Sequence, residues 1–241
     1  MKKKVFVLRI QKYVSEAGIY PRREIERMIR DGRITINGTP AHKNSMLAEE
    51  DMVLVDGKPL VKAEIQPVYI ALYKPVGITC TAQSSVKENI IDFMNYPERI
   101  FPVGRLDKDS EGLIIMTNDG SIVNRMMHSS HEHEKEYIVT VDKPFDEAFL
   151  QGMAAGVPIL NTVTKPCIVS RVDENVFRII LTQGLNRQIR RMCKVFGYRV
   201  TRLKRIRIMN IHLGELQSGK WRYVTESELS ELMYQLEEDL K

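Results

Sequence analysis

Gly104-Arg-Leu-Asp-Lys-Asp-Ser-Glu-Gly-Leu-Ile-Ile-Met-Thr-Asn-Asp-Gly120 passes from a run of charges straight into an apolar block. Arg105 to Glu111 reads as a loop, and Gly112–Met116 reads as a buried strand. A scaffold often presents its reactive groups on such a loop, fed directly into a core strand. Taken alone, the Arg-Leu-Asp triplet fits a surface loop with local ion pairs equally well.

Outward from this stretch, strands are predicted at Val68–Tyr73, Glu136–Val141, Cys167–Val172 and Val176–Leu181. Helices are predicted at Ile90–Tyr96, Ser121–Met127, Phe145–Ala155, Leu185–Phe196 and Glu226–Leu240. Loops separate the strands more often than crossover helices do. That predicts an α+β fold with a mixed, largely antiparallel sheet flanked by helices, rather than a doubly wound one.

The second informative stretch is Gln183-Gly-Leu-Asn-Arg-Gln-Ile-Arg-Arg-Met-Cys-Lys-Val-Phe-Gly-Tyr198. Leu185, Ile189, Met192, Cys193 and Phe196 form one apolar stripe. Arg187, Arg190, Arg191 and Lys194 recur on the opposite side, predicted to point outward, and Gly197 suits a left-handed C-cap. Between Asn175 and Gly214 there are 10 Lys/Arg and no acidic residue. A solvated face normally alternates sign, so the stretch points to RNA phosphates and one buried carboxylate as partners.

Residues 8–59 read as a separate small module. Ile10, Val14 and Ala17 lie at helical spacing before Gly18, and Pro21 suits the first position of a second helix carrying Ile25, Met28 and Ile29. Strands Arg33–Ile36 and Met52–Val55 run into the turn dipeptides Asn37-Gly38 and Asp56-Gly57. From Lys2 to Lys43, 11 Lys/Arg face 4 Asp/Glu. The predicted organisation is a module over 1–60, a linker over 61–67 and a larger domain over 68–241.

With 43% hydrophobic and 28% charged residues in 241, the composition is that of a globular protein. Cys80, Cys167 and Cys193 are odd in number and far apart, which suggests neither a disulfide framework nor a zinc ribbon. The N-terminal apolar run ends at Arg9, too short for a secretory signal, and no segment approaches the ~20 apolar residues of a membrane span. A cytoplasmic protein without membrane contact is expected. His128, His131 and His133 lack Cys or carboxylate at ligand spacing, so they read as a polar loop rather than a metal site. No phosphate-binding glycine motif or nucleophile elbow occurs.

Taken together, Tyr73-Lys-Pro-Val-Gly77, Gly104-Arg-Leu-Asp107, Lys135-Glu-Tyr137 and Gln188-Ile-Arg190 resemble, in order and spacing, the motifs of pseudouridine synthases. The branch is the one that includes the ribosomal small-subunit enzyme A and large-subunit enzymes B, E and F. Glu134–Pro158, Gln183–Tyr198 and Arg205–Ile211 look closest to the F type. Arg9-Ile-Gln-Lys-Tyr13, Arg22-Arg-Glu24 and Asp31-Gly-Arg-Ile-Thr-Ile-Asn-Gly38 are similar to an S4 RNA-binding module, with Pro21 where that module usually has Ser.

The resemblance implies an isomerase that converts uridine to pseudouridine in structured RNA without metal or organic cofactor. Asp107 matches the catalytic aspartate, Tyr137 the active-site tyrosine and Arg190 the basic partner of the aspartate. Arg105, Leu106, Lys108, Arg187, Gln188, Ile189 and Lys74 fall in or beside those motifs, at the RNA cleft. The module is expected to contact phosphates through Arg9, Lys12, Arg22, Arg23 and Arg33. A carboxylate can serve as nucleophile and then as leaving group, and attack at C1′ of the ribose or at C6 of the base both stay open. The target nucleotide must be turned out of the RNA to be reached. The expected substrate is a 23S ribosomal RNA stem-loop and the expected enzyme a monomer. The alternatives are another ribosomal uridine, a tRNA anticodon-loop uridine, or a non-catalytic ribosome-assembly factor. A glycosidase would need a second carboxylate, for which Asp109 and Glu111 are the nearby candidates.

Overall fold

The apolar residues that recur at helical spacing near the N-terminus converge on one small core. The computed structural model describes residues 8–60, 66–83, 85–127 and 132–238. They fall into two compact units, Met1–Pro67 and Val68–Lys241. Most of the predicted linker, residues 61–65, lies outside the described residues, as do His128 and His131.

In the N-terminal unit α1 (Ile10–Glu16) and α2 (Arg22–Arg30) pack on β1 (Ile34–Ile36) and β2 (Val53–Val55), which pair antiparallel. Two-residue strands at Thr39–Pro40 and Lys58–Pro59 flank them. Asn37-Gly38 and Asp56-Gly57 all have positive φ, the geometry a two-residue hairpin turn needs. Ile10, Val14, Ile25, Met28, Ile34 and Val55 form the core. Each fully buried aliphatic side chain of this kind contributes roughly 1.5–3 kcal/mol. Pro21 sits one position before the helix, as its N-cap residue, rather than inside the first turn.

The C-terminal unit is built on one large sheet. Its elements run β3 (Tyr69–Lys74), α3 (Ile90–Met94), β4 (Phe101–Val103), β5 (Glu111–Thr117), α4 (Gly120–Met127), β6 (Lys135–Val141), α5 (Glu147–Ala155), β7 (Ile168–Asp173), β8 (Val176–Leu181), α6 (Gln188–Val195), β9 (Val200–Ile208), β10 (Trp221–Tyr223) and α7 (Glu226–Glu238). The strand order is β7-β8-β6-β9-β5-β3-β10, with β4 also pairing β5. Only β9 and β5 run parallel among these pairs, so the fold is α+β with a mixed, largely antiparallel sheet.

Strand alternation sends successive side chains to opposite faces. On one face Ile70, Leu72, Ile114 and Met116 pack under α3, while Val139, Phe177, Ile179 and Leu203 pack under α5 and α6. On the other, Ala71, Tyr73, Leu113 and Ile115 pack against α4 and α7. Tyr137 touches both cores of the first face, which places it at the seam between the α3 side and the α5/α6 side.

The parallel join depends on Gly112. Its φ is +110°, and a Cβ there would meet the Arg205 backbone oxygen at 2.2 Å and nitrogen at 2.6 Å. Gly112→Ala is therefore expected to lower the melting temperature of this unit by roughly 10 °C, as followed by circular dichroism. A variant that melts with the wild type would show that the backbone yields there at little cost.

Candidate active site

The loop between β4 and β5 carries Asp107 onto the face where Tyr137 lies. Three backbone ties fix it: Gly77 N–H donates to the Lys108 carbonyl at 2.8 Å, Ser110 N–H to the Asp107 carbonyl at 3.0 Å, and Leu106 N–H to Cys80 Sγ at 3.3 Å. Leu106 is buried beneath the loop. The Tyr73–Gly77 segment thus acts as a cradle for the catalytic-loop candidate rather than as a source of reactive groups.

Helix α6 closes the other side. Arg187 adopts a left-handed backbone (φ 50°, ψ 37°) just before the helix, which turns its guanidinium toward the loop. It makes a two-pronged contact with the Asp109 carboxylate at 2.9 and 2.8 Å and lies 3.5 Å from Asp107 Oδ2. Arg190, one turn on, donates to the Asp109 carbonyl at 2.8 Å and to Ser110 Oγ at 3.2 Å, and sits 3.5 Å from the Asp109 carboxylate. Among the described residues the ion-pair partner of Asp107 is therefore Arg187, where the resemblance implies Arg190. Arg190 reaches Asp107 only through its field. Burial pushes the Arg190 guanidinium down, and Asp109 opposes that shift most strongly. The Arg187 guanidinium beside Asp109 holds that carboxyl below the usual aspartate range.

Several expectations need correction. Leu106, Gln188, Ile189 and Lys74, expected at the RNA cleft, are buried. Gln188 accepts from Leu185 N–H at 2.9 Å, and the helix begins at Gln188, after the left-handed Arg187, rather than at Leu185. Arg190 does not point outward with its neighbours; its side chain is only 13% exposed. Arg105 and Lys108 are exposed, and Lys108 pairs with Glu88 at 2.9 Å.

The carboxylate-free stretch is also compensated more fully than its sequence suggests. Arg178 and Arg207 flank Glu136 at 2.5 and 2.7 Å, Arg202 meets Glu111 at 2.5 Å, and Arg199 faces Asp142 at 3.8 Å. Glu136 and Glu111 come from neighbouring strands and Asp142 from the bend just after β6, which a linear charge count cannot see. Asp109, weighed only as a glycosidase carboxylate, turns out to be the hub of the loop–helix contact. In the N-terminal unit, Arg9, Arg22 and Arg23 are exposed, Lys12 lies 3.8 Å from Glu16, and Arg33 is committed to Asp56 at 2.7 and 2.6 Å.

Among the described residues no three His, Cys, Asp or Glu side chains gather as a metal site. His133 is buried, its Nε2 3.0 Å from the Arg125 carbonyl. No described helix is long and apolar enough to cross a membrane. A cavity of about 760 Å³ opens beside Glu134, Glu136, Arg207 and Asn210, away from the Asp107 face because Glu136 points opposite to Tyr137.

Comparison with known proteins bears on both units. The RNA pseudouridylate synthase family matches residues 68–194 and the S4 domain family residues 8–54. The chain is 51% identical to the dual-specificity RNA pseudouridine synthase RluF of Salmonella typhi, over 95% of this chain and 80% of that one. It is 31% identical to the ribosomal large subunit pseudouridine synthase B of Bacillus subtilis, over 93% and 95%. A crystal structure of a pseudouridylate synthase superposes with a TM-score of 0.69 at 29% identity, covering 93% of this chain and 99% of that one.

The clamp has a direct signature. A depressed Asp109 value means that its stabilising contribution is present above the unfolded carboxyl's range and is lost as pH falls through the folded one. Carbon-13 titration of the Asp109 carboxyl should give a midpoint below the ordinary aspartate value, and Arg187→Gln should move that midpoint upward. An ordinary midpoint in the wild type, unmoved by the substitution, contradicts the clamp.

Proposed function

This chain belongs to the RNA pseudouridylate synthase family, with an S4 domain ahead of the synthase domain, and from that premise we propose that Asp107 is the nucleophile that isomerises a uridine of large-subunit ribosomal RNA. The observation that carries the assignment is the meeting of three elements on one face of the sheet. These are the loop carboxylate of Asp107, the guanidinium of Arg187 at 3.5 Å, and Tyr137 at the seam between two cores.

The reaction breaks the N1–C1′ bond and joins C5 to C1′, so it consumes no second substrate. Asp107 forms a bond to C1′ or to C6 and is expelled when the base, turned over, bonds through C5. Desolvation by bound RNA disfavours a free carboxylate, and Arg187 counters it in place. Arg190 acts as a positioning residue, holding the peptide of Asp109 and the hydroxyl of Ser110. Tyr137 supplies the flat surface for the flipped uracil. Arg105, exposed two residues before Asp107, fills the space the nucleotide leaves.

The S4 domain supplies affinity through Arg9, Arg22 and Arg23, which are exposed and make no ion pair among the described residues, more than through Arg33. The enzyme acts as a cytoplasmic monomer on a stem-loop. A second reading has one specific support: the RluF relatives are dual-specificity enzymes by name, which favours a second RNA uridine as an additional substrate of the same site.

Asp107→Asn should bind RNA with near wild-type affinity and form no pseudouridine in a single-turnover assay; measurable turnover refutes the nucleophile. Mapping pseudouridine across cellular RNA with and without the gene should show a signal lost from large-subunit RNA and restored by wild type but not by Asp107→Asn. Arg22→Glu combined with Arg23→Glu should weaken RNA binding and reduce the salt dependence of log K by roughly 1 to 2 phosphate contacts. The single-turnover rate at saturating RNA should be unchanged, and an equal fall in rate would give the S4 domain a part in the chemical step.

A further inference from the structure

One row of residues crosses four strands directly below the Asp107 loop. Lys74 on β3 pairs with Gly112 on β5, Gly112 with Arg205 on β9, and Arg205 with Tyr137 on β6. Residues opposite one another in a sheet project to the same side, here the face that carries Asp107 and Tyr137. Lys135, two residues before Tyr137 on β6, projects to that face as well. Gly112 has no side chain, which lets the backbone at Arg205 close against it and brings Lys74 and Arg205 into the same row.

The row is unusual for its charge. Lys74 is fully buried and Arg205 is 3% exposed. Lys135 is half-buried. Their neighbours on the same strand are neutralised: Arg202 by Glu111 and Arg207 by Glu136 and Glu134. Among the described residues, no carboxylate makes an ion pair with Lys74, Arg205 or Lys135. Lys74 Nζ donates to the Pro75 carbonyl at 2.7 Å, and Lys135 Nζ to the His133 carbonyl at 3.0 Å. Arg205 Nε donates to the Leu113 carbonyl at 2.7 Å and Nη1 to the Arg105 carbonyl at 3.5 Å, while Nη2 is buried with no partner. Burying cations without counter-ions costs stability, so a fold that keeps three together retains an uncancelled positive field under its reactive loop. Burial pushes the Lys74 ammonium down, and Asp109 and Asp107 act against that shift, so the loop carboxylates lie within the field of the row.

We infer that Lys74, Arg205 and Lys135 are a cationic floor whose field stabilises the negative charge that uracil acquires during the reaction. The inference rests on the pseudouridine synthase reading above. If Asp107 attacks C1′, the C1′–O bond forms, the N1–C1′ bond breaks and its electron pair stays on uracil, spread over N1 and the carbonyl oxygens. If Asp107 attacks C6, the electrons move to C5 and the O4 enolate. On either route the base carries one negative charge, the proton later lost from C5 is matched by one gained at N1, and Asp107 leaves as carboxylate. Preorganised positive charge at such a point typically changes rates by two to three powers of ten when it makes direct contact. A floor acting through space should give less.

Lys135 provides a test that a structural role would not pass. Burial, and then the field of Arg205, push its ammonium down to about 8. Its register neighbours, Leu181 on β8 and Ile208 on β9, are uncharged, and the His133 imidazole is held at the Arg125 carbonyl. Lys135 is therefore charged below that value and neutral above it, so the floor weakens as pH rises from 7 to 9. The single-turnover rate on transcribed large-subunit ribosomal RNA should fall across this range in the wild type, and Lys135→Gln should be slower at pH 7 and flat with pH. Arg205→Gln should lose roughly 10- to 100-fold with RNA affinity kept, and Arg205→Lys should recover part of it. Both deficits should shrink in RNA transcribed with 5-fluorouridine, whose base bears negative charge more readily. C5 then carries fluorine and has no proton to lose, so the C5-linked product is left with a C6=N1 bond that takes up water. The rate is read as loss of the target 5-fluorouridine in mass spectra of nuclease digests. Should Arg205→Gln not fold, Lys135→Gln carries the same comparison. Wild-type rate and pH profile in Lys135→Gln, or equal deficits on the two RNAs, overturn the floor while leaving the function intact. A wild type that forms no pseudouridine in any cellular RNA overturns both.

Discussion

The Asp109 carboxylate, gripped by two arginines of one helix, is the contact on which the candidate site depends. Among the described residues Asp107 is anchored by the 3.5 Å approach of Arg187 and the turn bond from Ser110. Its position is set by its neighbour two residues on, which joins the loop to the start of α6 through a two-pronged arginine contact and a second arginine on the peptide. Exposed ion pairs are individually weak. A fork-shaped guanidinium on a carboxylate, backed by a mostly buried arginine, fixes geometry more than it adds stability. That is what a nucleophile on a loop requires, since a displacement of one ångström can cost a hundredfold in rate.

Beneath the clamp, the sheet supplies a rigid base. Gly112 permits the parallel join of β5 and β9 by letting the backbone at Arg205 come close. The two faces divide the chemistry: Tyr73, Glu111 and Arg202 form a neutralised network on one side, with the Tyr73 hydroxyl donating to Glu111 at 2.6 Å. The other side holds the uncancelled cations. The phenol of Tyr73, raised to about 12 by burial and by Glu111, stays a hydrogen-bond donor throughout the working pH range.

Local chemistry made much of this legible in the sequence. The turns at Asn37-Gly38 and Asp56-Gly57, the apolar stripe of Ile25, Met28 and Ile29, and the strand after the Asp107 loop all follow from spacing and residue type. The strand Val200–Ile208 was missed. It lies in the middle of the sheet, yet its alternation is interrupted by Arg202, Lys204, Arg205 and Arg207, and it reads as a basic run. Of these, Arg202 is met by Glu111 and Arg207 by Glu134 and Glu136, from some 70 to 90 residues away. The exchange of partners between Arg187 and Arg190 has the same origin. Helical periodicity places both near the loop, but the left-handed turn at Arg187 decides which one faces Asp107. Gln188, placed at the RNA cleft by its motif, is buried and accepts from Leu185 N–H in the turn before the helix.

The most direct test of the account is a crystal structure of the protein bound to a large-subunit RNA stem-loop carrying 5-fluorouridine at the target position. The account predicts a nucleotide turned out of the helix, lying on Tyr137, with an Asp107 oxygen at bonding distance and the base above Lys74, Arg205 and Lys135. Finding the nucleotide on the opposite face, in the cavity beside Glu136 and Arg207 and out of reach of Asp107, would contradict it.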